Sequence, residues 1–361
     1  MHIQNYTEEL IELRRYFHQH PELALQEVET SAYIQKYLKN LGYEVNHVEP
    51  TGIIAELPGL SDREKMVVLR AEMDALPIQE QTDMAYASVN DGCMHACGHD
   101  FIIAAALILA KIVTEEQENF PVRIRFLFEP AEEIGEGAKR MLQAGALENP
   151  KADAFLMFHY AADMTLGMAV HQGQASSMIN SMQIHVHGKS SHWCEAEKGI
   201  DAIYAASQVV NAIHDLNENF KKKHINPGKY IVGIGTVHGG EYTNIVADHV
   251  VLNGNIRAVH EETYVALKEE LEKCLQEIEI RTGADIHMEF PKSPVYAFAN
   301  DDELVQTAKC VGKEIFLYIK LRCTRGDFSS YADNLFDAPA MNQLCYFAIE
   351  CCGALPGLQN V

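Results

Sequence analysis

The chain has 361 residues, of which 47% are hydrophobic and 22% are charged, so it can bury a large core and is neither disordered nor fibrous. Asp and Glu number 51 against 29 Lys and Arg, which gives a net charge of −22. A surface this acidic repels phosphate backbones and anionic lipid, so we expect neither nucleic acid nor a membrane as a partner. The chain also shows no secretory signal, and its nine cysteines suit a reducing compartment. We therefore expect a cytoplasmic protein.

The first half of the chain alternates between helical and strand patterns. Apolar residues recur at helical spacing over 7–42, with a break at His20-Pro21-Glu22, and predict two helices. The following segments predict strands at 43–48, 53–57, 66–70, 122–128 and 153–158, and helices at 101–116 and 135–145. This alternation predicts an α/β domain with a largely parallel sheet.

A different pattern begins near residue 176. Strands are predicted at 181–187, 230–237, 249–257 and 285–290, with helices at 199–219 and 261–282. The resulting β-α-β-β-α-β order is typical of a ferredoxin-like α+β domain. A further helix at 301–315 returns to the first domain. We expect an α/β domain of residues 1–174 and 291–361, interrupted by an α+β domain of residues 175–290.

Three segments of the α/β domain carry residue types that commonly bind metal ions. The segment Cys93-Met-His95-Ala-Cys97-Gly-His99-Asp100 places thiols and imidazoles two residues apart, where they can face one cation such as Zn²⁺. Glu132-Glu133 follows a predicted strand, and adjacent carboxylates can divide metal binding and proton transfer between them. His159 ends another predicted strand. Taken singly, each segment also fits an ordinary loop, a solvated acidic pair or a core histidine; together they favour a metal site.

These segments belong to a set of motifs that resembles the M20 metallopeptidase superfamily, in the amidohydrolase branch that acts on N-acyl amino acids, hippurate and auxin conjugates. The motifs run in family order over roughly residues 7 to 330 and are Arg14-Arg15-Tyr16-Phe17-His18, His20-Pro21-Glu22-Leu23, Arg70-Ala71-Glu72-Met73-Asp74-Ala75-Leu76-Pro77, His95-Ala96-Cys97-Gly98-His99-Asp100, Glu129-Pro130-Ala131-Glu132-Glu133, Gly188-Lys189-Ser190-Ser191-His192 and Gly199-Ile200-Asp201-Ala202. The resemblance implies a zinc-peptidase-like catalytic domain with an inserted dimerisation domain.

The resemblance also implies a site for up to two divalent cations per chain. Cys97 resembles the family's bridging ligand, and His99, Glu133 and His159 resemble its terminal ligands. Mixed thiolate, imidazole and carboxylate ligands admit Zn²⁺ or Mn²⁺, and also Ni²⁺ or Co²⁺.

The remaining site residues are also implied by the resemblance. Glu132 resembles the general base that deprotonates metal-activated water, and Asp74 resembles the carboxylate that orients a metal-binding imidazole. In the inserted domain, His192 resembles the histidine that reaches the active site of the partner subunit, which implies a homodimer. Asn244 and Arg257 lie where the family binds the substrate carboxylate.

The sequence departs from the family pattern towards its end. The last histidine is His287, so the further histidine ligand that family members carry near the C-terminus has no counterpart. The family's Ser-Glu-Asp-Phe segment stands here as Arg325-Gly326-Asp327-Phe328, and after Leu335 we expect the resemblance to end. Glu72 stands where the family has Asp.

The function that follows is metal-dependent hydrolysis of the amide bond of an N-acyl amino acid. Two alternatives within the superfamily are a deacetylase of N-acetyl-diaminopimelate and a dipeptidase. A catalytically impaired homologue with an incomplete two-metal site is a third.

Overall fold

A computed structural model describes residues 3–159, 168–173, 175–224, 227–291, 294–295, 298–315 and 319–323. The helices are α1 (Thr7–Gln19), α2 (Val28–Asn40), α3 (His99–Glu115), α4 (Gly137–Gln143), α5 (Ala202–Lys223), α6 (Glu261–Thr282) and α7 (Asp302–Ile315). The strands are β1 (Glu44–Val48), β2 (Gly52–Glu56), β3 (Met66–Glu72), β4 (Arg123–Glu129), β5 (Ala154–Met157), β6 (Met168–Gln172), β7 (Met178–His187), β8 (Tyr230–Gly239), β9 (His249–Ala258), β10 (Asp285–Glu289) and β11 (Ile319–Cys323).

The chain divides into two compact units, Met1–Gly173 with Ala299–Val361, and Gln174–Phe298. The second unit ends later than the expected boundary at residue 290. The reason lies in local pairing: Val295 forms a β-bridge with Ile179, and the Phe298 carbonyl oxygen accepts hydrogen bonds from the N–H groups of Ala175 and Ser176.

The first unit contains a five-stranded sheet in the order β1-β2-β4-β3-β5. β3 is parallel to both β4 and β5, whereas β1 with β2 and β2 with β4 are antiparallel. β1, β4, β3 and β5 therefore point in the same direction and β2 alone runs against them, so the described sheet agrees with the expectation of a largely parallel sheet except at β2. β1 and β2 are joined by only a short turn, which can return the chain only antiparallel to itself.

The main core of the first unit lies between this sheet and helices α1, α2 and α3. α3 is apolar around most of its circumference, with buried residues that include Ile102, Ile103, Leu107 and Val113. A helix of this kind is stable only when it is covered on several sides. Its burial fixes the position of its first residue, His99.

A small two-stranded parallel sheet, β6 with β11, completes the described part of the first unit. Val305 and Ala308 of α7 pack against Met168 and Val170 of β6. The sequence patterns predicted α7 but neither of these strands.

The second unit is an antiparallel sheet in the order β10-β7-β9-β8, covered on one face by α5 and α6. Its β-α-β-β-α-β order and its strand order confirm the ferredoxin-like prediction. Along β7 the buried and less buried residues alternate, so that Met182, Ile184 and Val186 face the helices.

No helix among the described residues is long and apolar enough to cross a membrane.

Candidate metal centre

Four of the candidate site residues follow three neighbouring parallel strands. Asp74 lies just after β3, Glu132 and Glu133 lie just after β4, and His159 lies just after β5. Parallel strands end at the same edge of a sheet, and α/β folds place their ligands there. The strand order therefore brings together segments that are far apart in the sequence.

His99 is held by the ends of α3 and β3. It is fully buried, and Gly98 before it has a φ of 90°, a left-handed conformation that suits glycine. The ring Nδ1 donates a hydrogen bond to the Asp74 carbonyl oxygen at 2.8 Å and lies 3.5 Å from Asp74 Oδ1. Metal-binding imidazoles commonly have such a partner, which leaves the other nitrogen for the cation. Here that nitrogen, Nε2, is buried and makes no hydrogen bond within the described residues.

Cys97, His99 and His159 form one candidate ligand group. Their ligand atoms all lie within 4.8 Å of one another, and Cys97 Sγ is 3.5 Å from His159 Nε2. Ligand distances of about 2.0–2.3 Å to Zn²⁺ require only small side-chain rotations from this arrangement. The structure thus brings together three of the four predicted ligands.

Glu132 and Glu133 form a second group with His99, again with ligand atoms within 4.8 Å of one another. His99 Nε2 lies 3.9 Å from Glu132 Oε2, and Glu133 donates its backbone N–H to Asp74 Oδ2 at 3.0 Å. Glu133 Oε1 is buried and has no hydrogen-bond partner within the described residues. The two groups share His99, so a thiol, two imidazoles and two carboxyl groups lie around one small volume. This donor set fits one or two divalent cations.

The acid–base properties of the cluster follow from its burial. Burial raises the pKa of Glu132 to about 7, although Arg70 and His99 act in the opposite direction. Burial also raises the pKa of the Cys97 thiol. For His99 burial favours the neutral ring, but the hydrogen bond with Asp74 and the negative charge of Glu72 outweigh it and raise its pKa well above the usual value. Binding of a cation must therefore displace protons from the cluster.

A buried carboxylate that the sequence analysis did not identify supports the Glu132 loop. Glu27 Oε1 accepts a hydrogen bond from the Ala131 N–H at 2.8 Å, and Glu27 Oε2 accepts one from Thr51 Oγ1 at 2.7 Å. Ala131 has a φ of 54°, which is unfavourable for a residue with a Cβ atom. Glu27 therefore holds the backbone immediately before Glu132 in a strained conformation. No local sequence signal marks Glu27, because its partners are distant along the chain.

Two buried ion-pair networks involve residues of the quoted motifs. Arg70 contacts the carboxylates of Glu72 and Glu129. The longer side chain at position 72, where the family has Asp, reaches this guanidinium. The motif itself assigned no role to Arg70.

The second network surrounds His18. Its Nδ1 lies 2.9 Å from Asp100 Oδ2 and its Nε2 lies 3.2 Å from Glu80 Oε1, while Arg14 Nε donates to Asp100 at 3.2 Å. Burial favours the neutral ring of His18, but the hydrogen bonds and charges of Asp100 and Glu80 outweigh it and raise the pKa of His18.

The three remaining predicted site residues all lie in the second unit. His192 is exposed, and its Nδ1 accepts a hydrogen bond from the Cys194 N–H at 3.2 Å. The exposed Asn244 lies on the neighbouring loop, where its carbonyl oxygen accepts from the Trp193 N–H at 3.1 Å. Arg257 lies on β9 and donates to Asn255 Oδ1 at 3.1 Å. The roles of these residues stay predictions.

The segment Arg325-Gly326-Asp327-Phe328 and everything after Leu335 lie outside the described residues, so the expected departures there have no structural counterpart.

Comparison with known proteins agrees with the metal-site geometry. A sequence profile described as peptidase family M20/M25/M40 matches residues 68–351. Because this match continues past Leu335, the expectation that the resemblance ends there is wrong.

Two curated relatives and one solved structure illustrate the similarity. The N-acetyl-L-cysteine deacetylase of Bacillus subtilis is 33% identical over 289 residues, which cover 79% of this chain and 68% of the relative. The thermostable carboxypeptidase 1 of Saccharolobus solfataricus is 31% identical over 330 residues, covering 89% of this chain and 82% of the relative. A Bacillus subtilis crystal structure described as a dinuclear metal-binding peptidase from the M20 family matches with a TM-score of 0.76 and 29% identity, over 96% of this chain and 88% of that one.

Proposed function

The chain belongs to peptidase family M20/M25/M40 and is a metal-dependent amidohydrolase, and on that premise we propose that it hydrolyses the amide bond of N-acyl amino acids. The observation that carries this proposal is the position of Glu132, whose carboxylate lies beside the group Cys97, His99, His159 and Glu133. Among the relatives, the Bacillus subtilis N-acetyl-L-cysteine deacetylase supports an N-acyl amino acid as the substrate.

The residues that would hold the metal are Cys97, His99, Glu133 and His159, with up to two cations per chain. Bound divalent cations supply Lewis acidity, which polarises an amide carbonyl and makes water acidic enough to lose a proton. The buried atoms His99 Nε2 and Glu133 Oε1 support this assignment, because neither has a hydrogen-bond partner in the described part of the chain and such burial costs stability. Zn²⁺ and Mn²⁺ fit the donor set, and Ni²⁺ or Co²⁺ are compatible with it.

Glu132 is the proton carrier of the proposed reaction. A carboxylate with a pKa of about 7 accepts a proton from water at neutral pH and releases it again to the leaving amine. Burial produces this pKa, so the same environment that assembles the ligands also prepares the base. Asp74 acts through His99, because its backbone oxygen and its carboxylate hold the imidazole Nδ1.

We assign substrate positioning to the second unit. Arg257 and Asn244 would bind the carboxylate of the amino acid product, since a guanidinium can pair with a carboxylate through two parallel hydrogen bonds. His192 would stabilise the tetrahedral oxyanion in the partner subunit of a homodimer. We also place the protein in the cytoplasm, in keeping with its acidic composition and the free thiols of its described cysteines.

A peptide substrate is the second candidate. The two thermostable carboxypeptidases of Saccharolobus solfataricus, at 31% and 30% identity, favour it. Both substrate classes present an amide bond next to an amino acid that bears a free carboxylate, so the same chemistry serves either. Comparison of N-acetyl amino acids with dipeptides of the same C-terminal residue separates the two.

The test is release of free amino acid by protein loaded with Zn²⁺ or Mn²⁺. Glu132→Gln removes the proton acceptor and should reduce kcat by roughly 100- to 10,000-fold, with bound metal unchanged. Glu136→Gln is the matched control, because Glu136 is an exposed glutamate of the same loop and should leave kcat unchanged. Absence of wild-type activity with Zn²⁺, Mn²⁺, Ni²⁺ and Co²⁺, or full activity of Glu132→Gln, would contradict the proposal.

A further inference from the structure

The second unit has a sheet face that is rich in histidine. The even-numbered residues of β7 and β9 are buried against α5 and α6, and the odd-numbered residues lie on the other face. On that face, His187 of β7 pairs directly with His249 of β9, and His185 lies two residues before His187. The strand register therefore places three imidazoles side by side.

The three rings are close and nearly parallel. Ring centroids are 4.6 Å apart for His187 and His249, 5.9 Å for His185 and His249, and 6.2 Å for His185 and His187. The interplanar angles are only 16°, 13° and 7°. One ligand nitrogen from each ring lies within 4.8 Å of the other two. Binding of a single cation would require χ rotations that turn the three ring planes towards a common point.

The surroundings of the group are also those of a ligand site. His187 and His249 are exposed and His185 is partly buried, so a cation can reach the group directly from solvent. Glu289 of the adjacent strand β10 places Oε1 3.5 Å from His185 Nε2. Imidazoles that bind metals commonly pair their second nitrogen with a carboxylate, which orients the ring and makes it a stronger donor.

We propose that His185, His187 and His249 form a binding site for one divalent cation that prefers imidazole ligands, such as Zn²⁺, Ni²⁺ or Cu²⁺. None of the three ligands belongs to the candidate metal centre of the first unit, and none of them takes part in the proposed hydrolysis. Three imidazoles leave one tetrahedral position for water. A cation bound there would link β7 to β9, the two central strands of the sheet.

The experiment is equilibrium dialysis of the full chain against Zn²⁺, with bound metal per chain measured by elemental analysis. His249→Gln and His187→Gln should each bind one Zn²⁺ fewer than the wild type, while the hydrolytic activity stays at the wild-type level. His214→Gln is the matched control, because His214 is an exposed histidine on α5 and should not change the stoichiometry. A second readout is thermal unfolding, where added Zn²⁺ should raise the midpoint less in His249→Gln than in the wild type.

The two substitutions lie on different strands. If one variant does not fold, zinc binding by the other still tests the proposal. Equal Zn²⁺ binding by the wild type and a folded His249→Gln or His187→Gln protein would overturn the proposal. A loss of bound Zn²⁺ in His214→Gln would also overturn it, because the effect would then belong to surface histidines in general. Neither result depends on whether the first unit is an active hydrolase.

Discussion

The buried carboxylate of Glu27 gives the sharpest test of how the fold positions the general base. Its side chain is fully buried and accepts hydrogen bonds from the Ala131 N–H and from Thr51 Oγ1. Ala131 directly precedes Glu132 and has a positive φ. Replacing Glu27 by Leu removes both acceptors while keeping a side chain of comparable size.

The expected cost follows from the two donors that remain. Ala131 is completely buried and Thr51 is 2% exposed, so water cannot replace the lost carboxylate. Each unpartnered buried donor costs about 1–3 kcal/mol, which gives about 2–6 kcal/mol for Glu27→Leu. Glu27→Gln should cost less than about 1 kcal/mol, because the amide oxygen can accept from Ala131 while the amide N–H donates to the Thr51 hydroxyl.

Urea unfolding gives the free energy of unfolding of both variants. The kcat on an N-acetyl amino acid reports whether Glu132 is still correctly positioned. A displacement of about 1 Å near the reacting groups can cost roughly 100-fold in rate, so we expect kcat to fall in Glu27→Leu and to recover largely in Glu27→Gln. Thr51→Val removes only one donor and provides a milder variant if Glu27→Leu does not fold. Equal stability of Glu27→Leu and the wild type would refute the reasoning.

Three further perturbations test the site and its support. Asp74→Asn replaces a carboxylate oxygen with an N–H donor beside the His99 ring and the Glu133 N–H, which already donate. We expect metal affinity to fall by about 10- to 100-fold, measured in competition with a chromophoric chelator. Unchanged affinity would contradict the orienting role of Asp74. Gly137→Ala would place a Cβ atom 1.7 Å from the Pro130 carbonyl oxygen and should destabilise the protein by about 1–3 kcal/mol in urea. Gly233→Ala, which meets no atom within 4 Å, should not do so. His18→Gln tests linkage: because the folded-state pKa of His18 is raised, its contribution is complete below the unfolded value of about 6.5 and is lost as the pH rises through the folded value. The stability difference between wild type and His18→Gln should therefore shrink as the pH rises above about 6.5, and a constant difference would contradict this account.

The candidate ligands that the structure brings together were accessible from the sequence because most of them lie in short segments of the chain. Cys97 and His99 are two residues apart, and Glu132 and Glu133 are adjacent, so their types and spacing alone suggest a metal. His159 could not be assigned as a ligand from its local sequence, since a histidine at the end of an apolar strand is usually a core residue. Its place near the other ligands follows from the pairing of β5 with β3. The resemblance to the family suggested a ligand role for His159, and the structure places its ring beside Cys97.

What the sequence could not provide was pairing between distant segments. The patterns located β1 and β2, but not that β2 runs antiparallel to β4. His185, His187 and His249 are ordinary surface histidines in the sequence, because only the register of β7 against β9 makes two of them neighbours. Glu27 is similar, since its hydrogen-bond partners lie 24 and 104 residues away.

The candidate metal centre also links stability to chemistry in this fold. His99 Nε2 and Glu133 Oε1 are buried without hydrogen-bond partners in the described residues, and each such atom costs about 1–3 kcal/mol. A cation that binds both atoms offsets this cost, and at a free concentration of 100 times its Kd it stabilises the folded state by about 2.7 kcal/mol. Exchange of these ligands for apolar residues would remove the same cost without any metal, but it would also remove the chemistry. The edge of the sheet where β3, β4 and β5 end is therefore more stable when the metal is bound, and the same metal is required for hydrolysis.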